Sequence, residues 1–240
     1  MTWQVPAPKW DTLAGRGLDT FFAGVHAAMP DYDLPLTIFG SAPIQLCLDE
    51  AFTSADVDIM VLSNSDPLRE VAARLGVGRS GTIRPTFGIQ LCPAQMLKPT
   101  PHYLQRAYSE TRHGLKVIVP HLRDILIAKL HRSRTEDQDG LVPKDRRAFT
   151  RVRQLSNNHP TEADLIEDLI SCEPHFRQPL DGSINAFWLN VEDLFLNQFD
   201  RRIDIQTEII LPARAAEDSL LRNDSASVAE MLAELRPSRE

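Results

Sequence analysis

The sequence predicts an α/β chain of the α+β kind: a mixed sheet flanked by helices, then a helical C-terminal part. Three observations predict it. Short apolar or β-branched runs at Leu36–Phe39, 56–62, 87–92 and Leu115–Val119 read as strands separated by helical patterns. From Lys144 onward the periodicity is helical throughout. The chain has 240 residues, 42% hydrophobic and 25% charged, ordinary for a globular protein and enough to bury a substantial core.

Taken in order, residues 10–28 read as a helix turning Leu13, Leu18, Phe21, Phe22 and Val25 inward, weakened by Gly15, Gly17 and Gly24. Leu36–Phe39 is a short buried strand, after which Ser41 is expected to cap a helix carrying Ile44, Leu46, Cys47 and Leu48. A second strand covers 56–62, and Asp66-Pro67 opens a helix through Leu75. Two further strands are expected at 82–84 and 87–92, then an irregular loop from Pro93 to Pro101 holding three prolines. Leu115–Val119 is the next strand, and Pro120 opens a helix to about Arg134. Residues 135–143 read as a mobile loop. In the helical remainder Thr161, Ser183 and Ser225 are the expected N-caps, and Ser183–Phe199 is richest in large apolar residues. The domain organisation read from this is an α/β core over 1–120 and a helical domain over 121–240.

No stretch approaches the roughly 20 apolar residues of a membrane span. The N-terminal sequence lacks a basic-then-apolar leader, and Cys47, Cys92 and Cys172 sit scattered among apolar neighbours, the usage expected of buried reduced thiols in a cytoplasmic protein. The net charge of −7 argues against wholesale coating of nucleic acid. Yet residues 112–153 carry eleven Lys or Arg against five Asp or Glu, a basic middle suited to a triphosphate or an RNA backbone, or else a solvated helix face.

The chemistry concentrates at Asp56-Val57-Asp58, which leads into Ile-Met-Val-Leu. Residues i and i+2 of a strand share a face, with Cα atoms roughly 6.5–7 Å apart. Two like charges on one face repel unless compensated, and a hard cation such as Mg²⁺ or Mn²⁺ compensates them while also taking substrate phosphates. The alternative is an ordinary strand start with acids bound by nearby Arg or Lys. Gly40-Ser41, ending the preceding strand, lets backbone approach a phosphate, or is simply a turn and cap. Lys129 falls on the apolar stripe of its helix with Leu122, Ile125, Leu126 and Leu130, unusual for a lysine unless it pairs or snorkels outward. Histidines form no ligand cluster, which argues against Zn²⁺. No Gly-x-x-x-x-Gly-Lys or Gly-x-Gly-x-x-Gly loop is present, and the cysteines have no evident partner base. The 203–205 Ile-Asp-Ile repeats half of the Asp motif by accident.

Gly40-Ser41 followed after fourteen residues by Asp56-Val57-Asp58 resembles the signature of the nucleotidyltransferase superfamily related to DNA polymerase β, and Thr53 fits the Thr-x-Asp-x-Asp form of bacterial members. Asp124 through Lys129, with Lys144-Asp145 following, is similar to motifs of the abortive-infection toxin type and related bacterial nucleotidyltransferases. The resemblance covers roughly residues 35–155. It implies a nucleotidyltransferase-type sheet, Asp56 and Asp58 holding Mg²⁺, and Gly40, Ser41, Thr53 and Lys129 at a nucleoside triphosphate. It also implies transfer to a tRNA, a protein or a small molecule, and, in the toxin sub-case, an antitoxin partner. Two departures stand out. Where a third carboxylate is expected on a later strand the chain has Gln90, an amide that cannot act as a base, with Asp124, Asp145 or Glu110 as candidates to stand in. The second Asp expected after Lys144-Asp145 is absent, with Ala148 nearby. A non-catalytic nucleotide-binding or interaction protein on the same fold is therefore the rival expectation.

Overall fold

The computed structural model describes residues 3–52, 56–62, 66–77, 88–94, 98–131, 141–176 and 183–219. Its five strands are β1 (Leu36–Phe39), β2 (Asp56–Val61), β3 (Gly88–Pro93), β4 (Tyr108–Arg112) and β5 (Leu115–Val119). They form one mixed sheet in the order β3-β2-β1-β5-β4. Pairing is parallel for β1–β5 and β2–β3, antiparallel for β1–β2 and β4–β5. Helices α1 (Leu13–Ala28) and α3 (Asp66–Arg74) cover one face; α5 (Leu122–Leu130), α6 (Pro143–Leu155), α7 (Glu162–Cys172) and α8 (Ser183–Phe199) lie on the other. The short α2 (Ala42–Cys47) and α4 (Tyr103–Arg106) fill the connections, and a last helical stretch, α9, spans 205–219 with a π turn at Gln206–Ile210.

Strand alternation sorts the side chains into two cores. Leu36 and Ile38 of β1, with Val57, Ile59 and Val61 of β2, meet Leu18, Phe21, Phe22 and Val25 of α1 and Leu68 and Val71 of α3. Phe39 and Met60 point the other way and join Leu122, Ile125 and Leu126, Phe149 and Val152, Leu165 and Leu169, and Phe187, Val191 and Phe195. Residues on both sides of the expected 120/121 boundary share this second core.

Several expectations change in detail. Thr12 caps α1 by accepting from the Gly15 amide, so the helix starts at Leu13, and Leu13 itself is exposed rather than inward. Gly15 costs helix propensity for a packing reason: a Cβ there would lie 2.5 Å from the Trp10 carbonyl oxygen. Strand β4 was not foreseen, because Tyr-Ser-Glu-Thr-Arg is a polar edge strand with one partner and no apolar run. Helix α5 begins two residues after Pro120, where the His121 ring accepts from the Arg123 amide, and it ends at Leu130 rather than near Arg134. The expected strand at 82–84, most of the loop at 135–143 and the Ser225 cap lie outside the described residues. Thr161 does cap α7, in a full capping box with Asp164. Asp204 accepts from the Thr207 amide and hydroxyl and so caps α9, a structural use for the stray 203–205 motif. All three cysteines are buried free thiols. No helix among the described residues is long and apolar enough to cross a membrane.

The flank of α5 is tied by a buried ion network. The Arg106 guanidinium forks onto Asp124, with two bonds of 2.8 Å, and reaches Asp168 at 2.9 Å; Arg123 meets Asp168 at 2.8 Å. His121 stands beside this network, and burial together with the Arg106 charge lowers its pKa to about 4. Burial, with Lys98 adding to it, lowers His131 to about 3. Both rings are neutral when folded but take up a proton near pH 6.5 when unfolded, so the stability they contribute is complete above that pH and is lost as pH falls toward the folded values. Each ring is expected to cost about 1.4 kcal/mol per pH unit below pH 6.5. Urea unfolding between pH 6.5 and 5 checks this: the wild-type midpoint should fall, and the fall should shrink in a His121→Gln/His131→Gln variant.

Candidate functional site

The alternation that sends Val57 and Ile59 into the α1/α3 core turns Asp56 and Asp58 to the face covered by the C-terminal helices. Both carboxylates are partly exposed there, while Met60 on the same face is buried. Asp58 pairs across β1 with Phe39, so Gly40 lies beside it at the strand end. The approach is close: a Cβ on Gly40 would stand 2.2 Å from Asp58 Oδ2. Gly40 also holds φ +72°, a left-handed conformation that favours glycine. The two sequence motifs, Gly-Ser and Asp-x-Asp, therefore meet at one end of the sheet, and the glycine is what lets them meet.

Ser41 occupies the N-cap position of α2 but makes no side-chain cap, contrary to expectation; its backbone there is helical rather than extended. Its hydroxyl instead accepts from Lys129 Nζ at 3.2 Å. Lys129 is 6% exposed, so it is an inward lysine rather than a snorkelling one. Its charge is met by Asp145 of α6, fully buried, whose Oδ1 lies 3.2 Å from Nζ. The sequence offers Asp145 among the carboxylates that could stand in, and the structure pairs it with Lys129. The available signal was an aspartate in the first turn of a Pro-opened helix, following an inward lysine that needed an anion.

The candidates for a third carboxylate now separate. Gln90 is in register with Asp58 on the parallel strand β3, so an amide occupies the position beside the pair. Asp124 is committed to Arg106 and to the Thr100 hydroxyl. Glu110 is on β4, three strands from β2 and so roughly 14 Å away across the sheet, and it bonds Tyr108 and Arg112. Asp145 is the one that reaches the site, through Lys129. Cys92, two residues beyond Gln90, sits 3.9 Å from Asp58 Oδ1; burial first, then the Asp58 charge, raises its pKa to about 11, so it is a neutral thiol that donates to the carboxylate. Thr53 lies outside the described residues.

Among the described residues no group of three or more His, Cys, Asp or Glu side chains forms a metal cage. Two carboxylates on one strand face nonetheless match the donor set with which Mg²⁺ is held when substrate phosphates complete its coordination. A cavity of about 420 Å³ lies elsewhere, lined by Trp3, Arg106, Tyr108, His121 and Arg123 among others. Its two arginines are already engaged by Asp124, Asp164, Glu167 and Asp168, which leaves little charge to attract an anion. No protein-family model, curated protein or solved structure matches this chain. What the residues define is a mixed α/β protein with an acidic pair, a glycine-serine strand end and a buried lysine at one end of its sheet.

Two substitutions test this geometry. Gly40→Ala should cost about 1–2 kcal/mol from the left-handed backbone alone, and more because its methyl collides with Asp58; chemical denaturation measures it. Lys129→Met removes the lysine that meets the buried Asp145 carboxylate and should cost about 3–5 kcal/mol. Adding Asp145→Leu should recover part of that loss, and a double variant no more stable than the single one would contradict the pairing.

Proposed function

We propose that this chain is a Mg²⁺-dependent nucleotidyltransferase that moves a nucleotidyl group from a nucleoside triphosphate to an acceptor hydroxyl. The observation that carries the proposal is the contact between Gly40 and Asp58, which joins the Gly-Ser strand end to the Asp-x-Asp strand. Asp56 and Asp58 would hold Mg²⁺, which when bound neutralises triphosphate charge and activates the attacking oxygen. Gly40 leaves the room that the Asp58 carboxylate takes at the strand end, and Ser41 beside it offers a hydroxyl whose position Lys129 fixes. Lys129 supplies positive charge next to that hydroxyl, held in place by Asp145. In the transfer, the acceptor oxygen bonds the α-phosphorus, the bond to the β-phosphate bridging oxygen breaks, and pyrophosphate leaves. The hydroxyl proton goes to solvent, since Gln90 beside Asp58 cannot take it.

Gln90 favours a second reading: a nucleotide-binding or interaction protein on the same framework that no longer turns over. The acceptor, whether tRNA, another protein or a small molecule, and any antitoxin partner are open to the same assay. Each of the four nucleoside triphosphates, labelled at the α-phosphate, is incubated with Mg²⁺, RNA, protein and metabolite fractions. The proposal expects label transfer from at least one of them, abolished by Asp58→Ala. Absent transfer with Mg²⁺-dependent nucleotide binding intact selects the second reading, and absence of both removes both.

A further inference from the structure

The segment ahead of α1 helps to enclose a space that the chemistry above does not use. It is pinned at two points: His121 Nε2 donates to the Trp3 carbonyl at 3.3 Å, and the Lys9 amide donates to the Leu46 carbonyl at 2.8 Å. The residues between the pins, Gln4 to Pro6, form one wall of the cavity of about 420 Å³, and Val119 and Pro120 at the end of β5 form another. That volume is within the range of about 300–1,000 Å³ in which small-molecule sites fall. The cavity is separate from the acidic pair, because β5 and β2 stand two strand spacings apart, roughly 10 Å.

The ionisable groups on its described wall are either neutral or already paired near neutral pH, each for a visible reason. Burial pushes the Cys47 thiol up to about 12. His121 is neutral, with Nδ1 accepting from the Arg123 amide while Nε2 donates to Trp3. Tyr108 donates to Glu110 at 3.0 Å, and that bond raises its pKa. All three guanidinium nitrogens of Arg106 bond Asp124 or Asp168, and all three of Arg123 bond Asp164, Glu167 or Asp168. With those in-plane edges engaged, what each arginine chiefly offers is its flat face, which stacks on aromatic rings. A charged ligand would lose its hydration with no opposite charge left on this wall to replace it.

The rest of the wall is of two kinds. Trp3 is a fixed aromatic surface, stacked on His159 at 5.7 Å and edge-on to His121 at 4.8 Å, and Val5, Pro6, Val119 and Pro120 continue it with apolar groups. Gln4 and Gln105 are exposed, and each amide carries both a donor and an acceptor. Gln105 Nε2 approaches His102 Nδ1 at 3.5 Å, which leaves its carbonyl oxygen to accept. We propose that this cavity binds an uncharged, planar heteroaromatic small molecule, its rings against Trp3 and a lactam-type donor–acceptor edge met by the Gln4 and Gln105 amides. The proposal goes beyond nucleotidyl transfer and does not rest on it. Walls held by stacking and by the Arg106–Asp124–Asp168 ion network are largely formed before a ligand arrives, and they favour a rigid ring over a flexible chain, which would lose more freedom on binding.

The probe is isocarbostyril, a neutral planar bicyclic lactam, titrated at pH 7 into the ¹⁵N-labelled full chain without nucleotide or metal. Its comparators are N-methylisocarbostyril, which lacks the donor, naphthoate as the anion and N-methylisoquinolinium as the cation. Binding is read on the amide signals and on the Trp3 indole N–H, assigned by its loss in Trp3→Ala. Wild type is expected to show a saturable shift of the Trp3 signal with a Kd of about 1 mM, as for an efficient ligand of this size. Both charged comparators should bind at least about tenfold more weakly. The N-methyl lactam should bind about threefold to tenfold more weakly, a difference that disappears in Gln4→Ala/Gln105→Ala. Two further variants, each confirmed folded by circular dichroism, test the place: Ala107→Phe fills the cavity and Trp3→Ala removes its aromatic wall, and each should weaken the probe at least about tenfold. Absence of a saturable shift in wild type overturns the proposal. So does binding unchanged in the folded variants, or a charged comparator or the N-methyl lactam that binds as tightly as the probe. If Ala107→Phe does not fold, Trp3→Ala alone decides the place.

Discussion

Everything at the candidate site depends on which face each residue of β2 takes. Val57, Ile59 and Val61 are bound into the α1/α3 core, and that burial forces Asp56 and Asp58 to the other side of the sheet. A slip of one residue would drive both carboxylates into the apolar core and turn the apolar residues toward the site. Register is locked from two directions, by the antiparallel pairing with β1 and the parallel pairing with β3. The same two pairings bring Gly40 and Gln90 beside Asp58. The hydrophobic pattern of one six-residue strand therefore decides the composition of the site.

The opposite wall is organised by charge. A lysine that is 6% exposed is tolerable because a fully buried aspartate from another helix meets it. The pair joins α5 to α6, and Ser41 joins both to the strand end. Farther along α5 the same device recurs in larger form, with Arg106 and Arg123 bridging Asp124 and Asp168. One helix thus holds two internal ion networks of different meaning: one opens onto the acidic pair, and the other closes the far flank.

Much of this was legible in the sequence, and the omissions have definite causes. Short apolar or β-branched runs identify β1, β2, β3 and β5, since burial in a sheet leaves that trace. Edge strand β4 left none, because a strand with one neighbour and wet side chains has no apolar period. The Asp-x-Asp face and the inward direction of Lys129 followed from strand and helix geometry. The Lys129–Asp145 pair did not, because two residues 16 apart can face one another only through the packing of two helices, which no local pattern records. Ser41 misled for a related reason: cap residues are chosen by a local preference, and here a tertiary partner took the hydroxyl. The choice among Asp124, Asp145 and Glu110 likewise needed the sheet order and the ion pairs of the far flank.

The hydrogen bond between Ser41 and Lys129 closes a loop of 88 residues, and β1 finds its parallel partner β5 only across a similar span. Contacts this far apart in sequence are assembled against a large loop-closure entropy, and chains dominated by them fold slowly. A nascent chain that has emerged only through β2 already carries Asp56 and Asp58, but none of the residues that order Ser41. The acidic pair therefore exists for a time as two exposed carboxylates on an unfinished sheet. Its surroundings are completed only when α5 and α6 have docked, so the site belongs to the assembled chain rather than to its strand.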